Sequence, residues 1–124
     1  MTNKIQTVEL DINGVKVPAE VSIQVEEDYD YDLTDWEDER DRKAIKSGKF
    51  FVACIVVTAK ALGVDGLDSL GACTLRPNNM FDSKPFEDDL NGMLTDHGMI
   101  NNALDDLKNN IISQANLLKA FVTE

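Results

Sequence analysis

The stretch from Val8 to Val25 reads VELDINGVKVPAEVSIQV, and its pattern decides the N-terminal architecture. Val8, Leu10 and Ile12 alternate with polar residues, and Val15, Val17, Ala19, Val21, Ile23 and Val25 do the same. Between the two runs stands Asn13-Gly14, the preferred pair for a two-residue type I′ turn with both residues at positive φ. Counting outward from that turn pairs Ile12 with Val15, Leu10 with Val17 and Val8 with Ala19. One face is then apolar throughout, as a half-buried hairpin requires. On the other face Asp11 meets Lys16, an opposite-charge pair. Pro18 falls opposite Glu9 in a non-hydrogen-bonded pair, so its missing N–H points outward and the second strand is expected to have a free outer edge there.

Working outward, a hairpin over 5–25 is marginal alone and needs helices on its apolar face. Thr34-Asp35-Trp36-Glu37 matches a capping box, with Thr34 as N-cap and Glu37 at N3. It predicts a helix over about 35–62, bent or broken near Ser47-Gly48 and stopped by Gly63. Phe50–Leu62 is apolar nearly all round and is expected at the centre of the core. A buried strand is the alternative there, given Ile55, Val56 and Val57. Val64–Asn79, with Asp65-Gly66, Gly71 and Pro77, reads as connecting turns. Asp82 or Ser83 caps a helix over 83–97 that carries Phe86, Leu90, Met93 and Leu94 on one side and ends at Gly98. A last helix over 99–122 carries Ile100, Leu104, Leu107, Ile111, Gln114, Leu118 and Phe121 at three-four spacing. The expected fold class is α+β: an N-terminal antiparallel β-hairpin packed against three to four α-helices around a single core, in one domain of 124 residues. A chain of this size buries roughly two-thirds of its unfolded surface and needs no metal or disulfide to hold a core.

The net charge is −11, and most of it has one address. Residues 26–41 contain ten carboxylates and one arginine, a net of −9, which leaves −2 for the rest of the chain. In an extended segment, side chains two apart lie about 6.6 Å from each other on one side. Asp28, Asp30 and Asp32 would then form a carboxylate row, with Tyr29 and Tyr31 facing away. The helix that follows adds Asp35, Glu37, Asp38, Glu39 and Asp41 within about 10 Å of axis. DNA carries one charge per about 3.4 Å on each strand, a comparable density. Glu26, Glu27, Asp28, Asp30, Asp32, Asp35, Glu37, Asp38, Glu39 and Asp41, with Tyr29 and Tyr31 among them, are therefore the candidate partner-binding residues. The expected partner is a basic protein surface, including the nucleic-acid-binding groove of another protein. Direct contact with nucleic acid or an anionic membrane is disfavoured by the same field. Against this stands the plainer reading of a solvated acidic face. Trp36 is expected to dock on the chain's own core.

Other chemistries find little support. An EF-hand frame started at Asp28 places Asp30, Asp32 and Glu39 correctly, but its sixth position is Leu33 where the turn needs glycine, so no calcium site is expected. Cys54 and Cys73 lie far apart and His97 is the only histidine, so there is no zinc pattern. Cys54, inside an apolar run, reads as a small buried hydrophobe. His97 reads as a helix C-terminal residue, and Arg76-Pro77-Asn78-Asn79 as a turn. No glycine-rich phosphate loop, GxSxG or HExxH occurs, so neither catalytic residues nor a cofactor is expected. The longest apolar run, Phe50–Val57, is too short for a bilayer. Met1–Lys16 reads as strand and not leader, which points to the cytoplasm.

In general type — small, acidic, a hairpin plus helices, no active-site motif — the chain is similar to many phage and mobile-element proteins that inhibit host nucleases. The similarity is one of composition and transfers no residues. The leading expectation is an acidic inhibitor or competitor acting as a nucleic-acid mimic. The alternative is an assembly module that forms homo-oligomers through helix faces, its acidity incidental.

Overall fold

The computed structural model describes residues 2–27, 51–76 and 84–122. Four strands, β1 (Thr2–Ile12), β2 (Val15–Glu27), β3 (Phe51–Ala61) and β4 (Val64–Leu75), form one antiparallel sheet in the order β1-β2-β3-β4. Two helices, α1 (Lys84–Asp96) and α2 (Met99–Val122), cover one face of it. The class is α+β. The expected hairpin is half of a four-stranded meander, and among the described residues there are two helices where three to four were expected.

The β1–β2 register follows the count from the turn: Ile12 pairs with Val15, Leu10 with Val17, Glu9 with Pro18 and Val8 with Ala19. Asn13 and Gly14 both have positive φ, 52° and 85°. Asp11 and Lys16 are register partners. The Asp11 carboxylate, however, accepts a 2.9 Å hydrogen bond from the Gly14 N–H and so closes the turn, while Lys16 pairs diagonally with Glu9 at 3.8 Å. The β2–β3 ladder begins at Glu20–Lys60. Pro18 therefore lies beyond its end, where no neighbouring strand asks for an N–H.

The helix expected over 35–62 is contradicted where its second half is described. Phe51–Ala61 is a strand. Its odd residues, Phe51, Ala53, Ile55, Val57, Ala59 and Ala61, are buried under the helices, and Cys54, Val56 and Thr58 are half-buried on the other side. A central strand flanked on both edges reads as a continuous apolar run, and period alone does not separate it from a buried helix. Gly63 is accordingly not a helix stop. It forms a second two-residue turn with Leu62, at φ 73° and 55°. Leucine in that left-handed conformation costs roughly 1–2 kcal/mol relative to an unstrained residue.

Val64–Leu75 is likewise a strand and not a run of turns. Opposite Cys54, β4 carries two residues, Gly71 and Ala72, between the Ile55–Leu70 and Ala53–Cys73 pairs. This bulge shifts the pleat by one, so that Val64 and Gly66 before it and Cys73 and Leu75 after it all face the helices. Gly66 is there because α2 crosses it: a Cβ would fall on the backbone of Ala103 and Leu107.

Phe86, Leu90 and Leu94 of α1 and Met99, Ala103, Leu104 and Leu107 of α2 complete a core with Val21, Ile55, Val57 and Leu75. Phe86 stacks on Phe51 with ring centroids 6.3 Å apart. The helices join through His97-Gly98, with Gly98 at φ 58°. The long stripe of α2 is core only in its first half. Leu104 and Leu107 are buried and Ile100 and Ile111 half-buried, but residues 113–120 are exposed, Gln114 and Leu118 among them.

Candidate protein-binding surface

β2 delivers the chain into the acidic segment. Its last residues, Glu26 and Glu27, are exposed and pair with Cys54 and Ala53 at the start of β3. The other candidate binding residues, Asp28, Tyr29, Asp30, Tyr31, Asp32, Asp35, Glu37, Asp38, Glu39 and Asp41, lie outside the described residues, as do Trp36, the Thr34 capping box and the frame considered for calcium. The topology of the connection is nevertheless unusual. β1–β2 and β3–β4 are joined by two residues each, whereas β2–β3 is joined by the 23 residues 28–50. That connection leaves and re-enters at the end of the sheet opposite the two tight turns.

The face of the sheet away from the helices also carries an acid excess. Glu9, Asp11, Glu20, Glu26 and Asp65 are exposed there, against Lys16 and Lys60. Ser22, Gln24 and Thr58 occupy half-buried positions between them.

Elsewhere the polar contacts tie elements together. Arg76, which leaves β4, grips Asp89 of α1 with its backbone N–H, Nε and Nη2, each at 2.9 Å. The guanidinium hydrogen bonds hold the Asp89 carboxyl below the usual carboxylate range, against partial burial acting the other way. In the sequence Arg76 reads only as the start of a turn; its partner lies 13 positions on, across an interface no local pattern announces. On the outer edge of β4, the Leu67 N–H donates to Asp106 at 2.9 Å and Asn110 donates to the Asp65 carbonyl at 2.8 Å. Asn102 reaches both Asp68 and the His97 carbonyl. Three α2 side chains one turn apart thus cover part of an edge that would otherwise offer bare backbone to another strand.

Cys54, expected as a small buried hydrophobe, is half-buried on the sheet face away from the helices, and Cys73 is buried. Both are free thiols, and burial, with Cys54 nearby, pushes the Cys73 thiol up. Among the described residues no group of three or more His, Cys, Asp or Glu could hold a metal ion, and no helix is long and apolar enough to cross a membrane.

No protein-family model, no curated protein and no solved structure matches this chain.

Proposed function

We propose that this chain is an acidic binding protein of the cytoplasm, not an enzyme, which presents residues 26–41 to a positively charged protein surface and so acts as an inhibitor or competitor. The observation that carries the reading is the concentration of −9 of the total −11 in 16 residues that run from the end of β2 into the one long connection of the meander. The other two connections close with turns of two residues, so a connection of 23 is longer than pairing of adjacent strands requires. Crowding ten carboxylates there raises self-repulsion. Both features are intelligible if the segment is used. The carboxylate spacing suits a basic groove that normally holds nucleic acid, and the exposed acid excess on the sheet face away from the helices would steer the same partner.

The test is capture of a partner from host lysate by the wild type and by a variant with Asp28, Asp30, Asp32, Asp35, Glu37 and Asp38 changed to Asn or Gln. The neutralised variant should keep its fold, bind the captured partner more slowly and more weakly at low salt, and lose competition with nucleic acid. Added salt should mimic the change in the wild type. Wild-type affinity in the neutralised variant at low salt would reduce the segment to a solvated face and overturn the proposal.

A further inference from the structure

Six large apolar side chains are exposed among the described residues, and four of them, Val15 (62%), Leu62 (70%), Leu117 (58%) and Leu118 (62%), belong to one end of the molecule. Val15 follows the β1–β2 turn and Leu62 lies in the β3–β4 turn, and an antiparallel meander brings both turns to the same end. The direction of α2 follows from its hydrogen bonds. Asn102 is beside Asp68, Asp106 meets Leu67 and Asn110 meets Asp65, so the helix runs against β4 and towards these turns. From Asp65 the turn is about 7 Å away, or about four helical residues. The last two turns of α2 therefore overhang the sheet by about 12 Å, in agreement with the exposure of every residue from 113 to 120.

Two features set this end apart. Leu62 holds a left-handed backbone, φ 55°, in the position that Asn13 fills in the other hairpin. It is strained and exposed at once, and folding the chain alone rewards neither. Residues 107–122 also contain no carboxylate and two lysines, in a chain of net −11. The acidic connection attaches at the opposite end of the sheet.

We infer that this end docks a second copy of the chain, with the overhang of each α2 lying under its counterpart and against the turns of the other sheet. Copies of a −11 chain repel over most of their surface, and this end lets them meet apolar to apolar, away from the end of the sheet where the acidic segment attaches. The stripe through Leu104, Leu107 and Ile111 continues as Gln114 and Leu118 where the sheet stops, so the partner would take over the face that the sheet leaves bare. In an antiparallel pair that crosses at Gln114, where the overhang begins, Gln114 meets its own copy, and two amides can satisfy each other at that polar core position.

Sedimentation equilibrium of the full chain, up to about 100 µM, tests this. The wild type should dimerise, more strongly as salt screens the net charge. Leu118→Glu and Leu62→Asn should each weaken the dimer by roughly tenfold or more. Leu62→Asn should do so while the dilute monomer melts no lower, because asparagine tolerates the left-handed turn. The acid-neutralised variant described above should still dimerise, which separates this inference from the proposed function. A monomer at every concentration, or a dimer unmoved by both substitutions, overturns it.

Discussion

Gly66 of β4 lies directly against Leu107 of α2: a Cβ at Gly66 would sit 2.6 Å from the Leu107 Cα and closer still to the Leu107 nitrogen and the Ala103 oxygen. Backbone faces backbone here, and no side chain can rotate out of the way. Gly66→Ala should therefore force α2 off the sheet and lower stability by roughly 1–3 kcal/mol or more. A urea melt of the variant with an unchanged midpoint would show that the helix does not pack there.

The two halves of α2 should answer differently to truncation. Leu107 is fully buried, so Leu107→Ala should cost about 2–5 kcal/mol. Leu118 is exposed, so Leu118→Ala in dilute protein should stay within about 0.5 kcal/mol of wild type. Thermal melts of the pair at low concentration make the comparison.

The Arg76–Asp89 fork predicts a pH signature. The Asp89 carboxyl titrates lower in the folded protein than its unfolded value of about 3.9. Its stabilising contribution is therefore complete well above that pH and is lost as the pH falls through the folded value. Asp89→Asn should be less stable than wild type at pH 7, and the gap should narrow below about pH 4. A gap of constant size from pH 7 to pH 3, followed by denaturant melts, would refute the ionic account.

Calcium titration should give no saturable site in the micromolar range, because Leu33 stands where an EF-hand loop turns on glycine. A rise in melting temperature with micromolar calcium would reverse that expectation.

The β1–β2 register and turn were legible because they are local: Asn13-Gly14 permits positive φ at both centres, and the alternation on either side admits one register. Both described helices were legible for a similar reason, since apolar spacing and Gly98 mark them without reference to the rest of the chain. Phe51–Ala61 was not. Its pattern suits a buried helix and a buried strand equally, and hydrogen bonding to β2 and β4 chooses between them. The same holds for Val64–Leu75, whose glycines look like turn residues until the bulge at Gly71-Ala72 and the crossing of α2 at Gly66 are in place.

For the candidate binding surfaces the division is sharper. Sequence alone determined how much charge the chain carries and that it is crowded into residues 26–41, because charge is a property of composition. It also determined that α2 has one apolar stripe along its length. Only the tertiary structure decided that the crowded segment joins two adjacent strands at one end of the sheet, and that the stripe outruns the sheet at the other. A helix rises 1.5 Å per residue wherever it lies, but which of its turns are covered depends on where the strand beneath it stops, and that is set by pairing between segments far apart in the chain.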